Sequence, residues 1–180
     1  PPAIQRAEIV PHLERDPDYF AHEELEAVSV DGKGAPITTI DAAALAGLKS
    51  GALRVRQRPG AKNALGGVKF VLPNTMDIYL HSTPAQQLFG ETRRDFSHGC
   101  IRVADPPALA AFVLRDQPEW TRPRIEAAMA AGKTSTAVLK QPIPVVLFYT
   151  TAIVDSDGLV LFQSDIYGYD RKLESALKVR

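Results

Sequence analysis

A chain of 180 residues in which 21 lysines and arginines balance 21 aspartates and glutamates, with 45% hydrophobic and 23% charged residues, has the make-up of one globular domain with a real core. The neutral balance gives no reason to expect a nucleic-acid partner, and no apolar run approaches the roughly 18 to 20 residues needed to span a bilayer. A single cysteine excludes an intramolecular disulfide, so the lone thiol is either a small buried hydrophobe or a reactive group.

The chain opens on "PPAIQR", without a charged-then-apolar leader, and this reads as a processed or excised start. The first sixty residues carry scattered Pro, Gly and acidic residues between short apolar runs. There "DPDYFAHEELEAVSV" predicts a turn at Asp16-Pro17 and helix-forming sequence through to Val28, and "VDGKG" at Val30 to Gly34 predicts a hairpin-type turn. In "TIDAAALAGLKSG", Asp41 is the expected N-cap of a helix with glycines near its far end. Residues 1–60 thus read as a small mobile subdomain.

From Leu53 the pattern has period two: "LRVRQR", "VKFVL" around Lys69, and "MDIYLH" predict strands, the last with Tyr79 and His81 on the face opposite Met76, Ile78 and Leu80. "DPPALAAFVLRDQ" predicts a helix capped by Asp105 with a stripe through Leu109, Phe112 and Val113, and "TRPRIEAAMAAGK" a second ending at Gly132. "PVVLFY", Pro144 to Tyr149, reads as a buried strand; a turn at Asp155 to Gly158 joins "PIPVVLFYTTAIVD" to "LVLFQSDI" as a hairpin, and "DRKLESALKV" closes as a helix. The core is expected to be mainly β with helices attached.

The cysteine stands in "FSHGCIRV". A thiol attacks carbonyls as thiolate and needs a neighbouring base or cation near neutral pH. His81, brought beside Cys100 by strand pairing, is a candidate general base. Gly99 permits unusual backbone angles, and the N–H groups of Gly99 and Cys100 have the outline of an oxyanion hole. A packed thiol with His98 capping a turn is the bland alternative. A zinc site of His81, His98 and Cys100 lacks an evident fourth ligand and sets two ligands too close together in His-Gly-Cys.

His81, a gap of fifteen residues, then "SHGCIR" resembles the signature of the L,D-transpeptidases, cysteine enzymes of bacterial cell-wall cross-linking. The resemblance extends through "RQRPGAKNALGGVKFVLPNTMDIYLHSTP" and "PIPVVLFYTTAIVDSDGLVLFQSDIYGYD" and covers most of residues 53–170, in the manner of the large periplasmic Gram-negative branch. It implies a mixed α/β, mainly β fold: a β-sandwich-like YkuD-type catalytic core with peripheral helices over residues 53–180, and a small capping subdomain over residues 1–60. Wall-anchoring and helical parts that usually precede this region in the family are missing, consistent with an excised catalytic fragment.

Carried over by position, the resemblance makes Cys100 the nucleophile and His81 the base, with His98 and Gly99 shaping the turn and Tyr79 assisting the oxyanion hole. Ser97, Arg102, Ser82, Asn63 and Lys69 are the expected substrate-binding residues, Arg102 as a partner for a carboxylate. Asn63 has a second reading, as the residue that fixes the turn before Leu65 and Gly66. Two positions depart from the common pattern: Arg102, where many members have Asn, and Ser82, where many of the large branch have Asp. The basic run Lys49, Arg54, Arg56, Arg58 and Lys62 offers positive charge to stem-peptide carboxylates, or is a solvated strand face.

The implied reaction is acyl transfer between peptidoglycan stem peptides, donor and acceptor, without metal or organic cofactor, in the periplasm or cell envelope. Carbapenems are the implied covalent inhibitors. Two other readings compete. One gives the acyl-enzyme to water, as an L,D-carboxypeptidase or as a hydrolase detaching a wall-linked protein; the other is a catalytically silent wall-binding module.

Overall fold

The computed structural model describes residues 2–97 and 99–178, which fall into two units, Pro1–Gln141 and Pro142–Arg180. His98, assigned above to the turn before Cys100, lies outside the described residues. The architecture is mixed α/β, with small sheets of two, three and two strands. Among the described residues helix outweighs strand, contrary to the β-dominated core expected, because several period-two stretches are broken by turns.

The first unit begins with a continuous helical segment: α1 (Pro2–Ile4), a π-helical stretch at Gln5–Ile9, and α2 (Val10–Arg15), followed by α3 (Tyr19–His22). Strand β1 (Leu25–Ser29) comes next, where the sequence reading carried helix through to Val28. Helix formers such as Glu and Ala yield there because every residue from Leu25 to Ser29 pairs antiparallel with β2 (Leu53–Gln57), from Leu25↔Gln57 to Ser29↔Leu53. Between them runs α4 (Ala42–Ser50), capped as predicted by the Asp41 carboxylate accepting from the Ala44 N–H at 2.7 Å and ending at Gly51, φ +82°.

These elements close a core of Val10, Leu13, Phe20, Leu25, Ala27 and Leu48. The buried Gln5 side chain ties the first helix to it, donating to the carbonyls of Leu48 and Leu53 and accepting from the Val55 N–H, each at 2.9 Å. These three bonds offset the desolvation of the buried amide.

A second sheet follows, in the order β3 (Lys69–Phe70), β4 (Leu80–His81), β5 (Ile101–Arg102). β3 runs antiparallel to β4 and β5 parallel to it. The strands are shorter than predicted. Asn74 accepts from the N–H groups of Met76 and Ile78, and Asp77 adopts φ +56°, so alternation is lost until Tyr79. Helices α5 (Pro106–Val113) and α6 (Arg122–Ala130) pack through Ala110, Leu114 and Ile125, with Phe70 of β3 against them. Asp105 caps α5 through the Ala108 N–H, but the inward face is rotated from the predicted stripe: Ala110 and Leu114 are buried while Phe112 is exposed.

In the second unit β6 (Ala152–Val154) and β7 (Val160–Phe162) form the expected antiparallel hairpin, its turn held by Asp155, which accepts from the N–H groups of Asp157 and Leu159. Helix α7 (Tyr169–Lys178) follows. "PVVLFY" is not a buried strand: Val146 and Phe148 are 79% and 80% exposed. Pro142 and Pro144 supply no ladder N–H, and no described strand of this unit pairs with the segment.

Candidate active site

Parallel pairing of β4 with β5 sets Leu80 opposite Ile101 and His81 opposite Arg102, with the Ile101 N–H on the Tyr79 carbonyl at 3.0 Å and the Val103 N–H on the His81 carbonyl at 2.9 Å. The ladder therefore sets Tyr79 beside Cys100. On the other side β3 places Lys69 opposite His81. Because paired residues point to the same face, Lys69, Tyr79, His81, Cys100 and Arg102 share one side of a three-stranded sheet.

Their contacts agree with that placement. The Tyr79 and His81 rings meet edge-on, centroids 5.8 Å apart, and the Lys69 ammonium sits 3.7 Å from the Tyr79 ring centroid. The half-buried thiol donates to the Asp77 carbonyl at 3.6 Å, and the ladder sets it next to Tyr79. Burial, and then the neighbouring Cys100 and Asp77, push the Tyr79 hydroxyl up to about 12, so it keeps its proton at any working pH and remains a donor.

His81 is buried, and its Nδ1 lies 2.5 Å from the carbonyl oxygen of Ser82. A carbonyl only accepts, so Nδ1 carries the proton and Nε2 keeps its lone pair. Burial lowers the His81 pKa below its ordinary 6.5; the Arg102 and Lys69 charges push the same way, against the Ser82 carbonyl. The result is a neutral imidazole at neutral pH, with the Nε2 lone pair free to accept a proton.

Ser82 itself is held from behind. Its hydroxyl donates to the Leu65 carbonyl at 3.0 Å and accepts from the Val68 N–H at 3.2 Å. Gly66, at φ +61°, makes room: a Cβ there would stand 2.1 Å from the Ser82 hydroxyl oxygen. The Ser82 side chain is thus engaged inward. Asn63 is engaged likewise in its turn, donating to the carbonyls of Gln57 and Arg58 and accepting from the Leu65 N–H.

Ser97 closes the turn before the thiol, donating to the Cys100 carbonyl at 2.7 Å while accepting from the Gly99 N–H at 3.3 Å. Gly99 stands at φ +113°, backbone that a side chain would strain. Arg102 donates to the Phe96 carbonyl at 3.1 Å, and its buried Nε has no partner among the described residues. The basic run disperses: Lys49 pairs with Glu14, Arg56 with Glu26, and Lys62 donates to the His22 carbonyl.

The family model of the YkuD L,D-transpeptidase catalytic domain matches residues 1–145. The chain belongs to that family. It is also 34% identical, over 169 residues and 94% of its length, to a Haemophilus influenzae protein named "Putative L,D-transpeptidase", of which it spans 34%. This YkuD domain thus corresponds to about a third of that relative's length. Among its described residues, no helix is long and apolar enough to cross a membrane.

Two contributors to the site escaped the sequence reading, the main-chain carbonyls of Asp77 and Ser82. Every residue has a carbonyl, so no residue type announces one. The stacking of Lys69 on Tyr79 was legible in principle, from a lysine and a tyrosine at offset positions of neighbouring strands.

Proposed function

We propose that this domain is a cysteine L,D-transpeptidase of peptidoglycan, with Cys100 as nucleophile, His81 as base and Tyr79 as hydrogen-bond donor to the reacting centre. The single observation that carries the reading is the shared face of β4 and β5, where an oriented neutral imidazole and a protonated phenol flank the thiol's position in the ladder.

In the first step His81 Nε2 takes the thiol proton and the sulfur attacks the carbonyl of the third stem residue, at its L-centre. The oxyanion draws on Tyr79 and on N–H groups near Cys100, including the turn shaped by His98 and Gly99. The C–N bond to the terminal D-amino acid breaks, its nitrogen takes the proton from His81, and a thioester remains. A diaminopimelate side-chain amine of a neighbouring stem then attacks, its proton passes to Nε2 and on to the departing sulfur, and an amide cross-link replaces the thioester. No cofactor enters this scheme.

Lys69 and Arg102 border the same face and suit the carboxylates of a stem peptide. The core formed by Val10, Leu13, Phe20, Leu25, Ala27 and Leu48 supports the reading of residues 1–60 as a capping subdomain. The proposed catalytic domain is residues 53–180, with a β-sandwich-like core. A wall substrate assigns the protein to the periplasm or cell envelope, with carbapenems acylating Cys100.

The test is mass spectrometry of products from purified disaccharide-tetrapeptide, with Cys100→Ala alongside. A dimer lighter by one terminal D-alanine, absent with the variant, is expected. Tripeptide alone would transfer the acyl group to water, and turnover by Cys100→Ala would overturn the scheme.

A further inference from the structure

Within the second unit three tyrosines pack together. Tyr149 meets Tyr167 and Tyr169 edge-on, with centroids 5.0 and 5.6 Å apart, and Tyr167 lies 5.9 Å from Tyr169. All three stay open to solvent, at 36%, 54% and 53% exposure. The cluster is braced rather than loose: the Tyr149 hydroxyl donates to Asp165 at 3.0 Å, and the Asp165 carboxylate also accepts from the N–H groups of Tyr169 and Asp170 at the start of α7. A cleft of about 400 Å³ adjoins it, lined by Tyr149, Thr150, Thr151, Tyr169, Asp170 and Leu173.

We infer that this tyrosine platform and its cleft bind the glycan strand of peptidoglycan, a site separate from the stem-peptide chemistry. Aromatic rings held rigid by neighbours expose large apolar faces at little cost in conformational entropy, and such faces suit the C–H faces of pyranose rings. At the rim the Thr151 hydroxyl donates to Asp170 Oδ1 at 3.0 Å, which leaves the threonine oxygen and the second carboxylate oxygen to accept from sugar hydroxyls and acetamide N–H groups. The cleft volume falls within the roughly 300–1,000 Å³ typical of small-molecule sites.

Two other ligand classes fit less well. Ring spacings of 5.0 to 5.9 Å leave no gap between the tyrosines for a cation, and the Lys172 ammonium already lies 5.1 Å from the Tyr169 ring centroid. Bases of a nucleic acid stack on aromatics but bring phosphates, and Asp170 is the one charged side chain among the described lining residues. The choice of peptidoglycan glycan among sugars rests on the proposed wall substrate.

The experiment is titration of the whole chain with stem-free glycan strands, prepared by amidase digestion of peptidoglycan, and read by calorimetry. The unaltered chain and Cys100→Ala are expected to bind alike, so glycan binding is scored independently of acyl transfer. Tyr167→Leu with Tyr169→Leu should weaken binding at least tenfold while leaving turnover of a soluble tetrapeptide donor unchanged, and the matching Tyr→Phe pair should retain it. No binding by the unaltered chain, or equal binding by the leucine pair with its circular dichroism intact, overturns the inference. If glycan binds but Cys100→Ala still turns over substrate, the catalytic reading falls and the platform stands.

Discussion

His81 Nδ1 and the carbonyl oxygen of the next residue, Ser82, lie 2.5 Å apart, so the chain orients its candidate base with its own backbone. The Ser82 hydroxyl has a different task, anchoring the loop at Leu65 and Val68.

Ser82→Ala keeps the carbonyl and removes the anchor. The expected result is a loss of about 1–3 kcal/mol of stability, from a partly buried N–H and carbonyl left without a partner, with acyl transfer reduced less than tenfold. Urea midpoints and turnover on disaccharide-tetrapeptide check this. A drop of a hundredfold in activity at full stability would assign the hydroxyl to substrate instead.

Gly66→Ala attacks the same support by sterics. The new methyl at φ +61° would stand 2.1 Å from the Ser82 hydroxyl oxygen, so either the loop or the end of β4 must shift. Overpacking of this kind costs about 1–3 kcal/mol, with about 1–2 more for the left-handed backbone. Thermal melting should show the loss, and activity measured well below the midpoint should fall with it, since His81 shares the displaced strand end.

Tyr79→Phe keeps the ring against His81 and Lys69 and deletes the hydroxyl proposed as donor to the reacting centre. Hydrogen bonds to charged groups are worth about 1.5–3 kcal/mol, so acylation of Cys100 by a carbapenem should slow by roughly ten- to a hundredfold. Stopped-flow mass shift is the readout, and an unchanged rate would remove Tyr79 from the reaction.

The His81 pKa is lowered, first by burial and then by Arg102 and Lys69, which gives two pH dependences of stated sign. The acidic limb of kcat/KM should lie below pH 6.5, and Lys69→Met should move it upward, towards the ordinary value. For stability, the unfolded chain takes up this proton first as pH falls. The contribution of a neutral His81 is therefore full above pH 6.5 and is lost as pH drops through the lower folded value. His81→Gln should abolish turnover and flatten the fall in urea midpoint as the pH drops below 6.5.

Much of this site was legible from residue order, for reasons that also mark where legibility stops. Period two placed Tyr79 and His81 on one face because side-chain direction in a strand is a local property. The Asp41 and Asp105 caps were readable because a cap bonds within three residues. The strand at Leu25–Ser29 was not, since its leucine, glutamate and alanine favour helix and only the distant partner Leu53–Gln57 overrides them. "PVVLFY" failed in the opposite way: its apolar run promised burial, but burial needs a partner that local sequence does not name. The family assignment survived these misses because it rested on the spacing of His81 and Cys100.

The ladder from Tyr79 to Val103 has a consequence for how this domain tolerates change. Base and nucleophile are registered against each other by hydrogen bonds between adjacent parallel strands, and among the described hydrogen bonds none runs from residues 84–95 to β4 or β5. The excursion between residues 84 and 95 is thus a length-independent tether. Lengthening it, or grafting a foreign peptide into it, changes what overhangs the site while the spacing of the reacting groups stays where the sheet puts it.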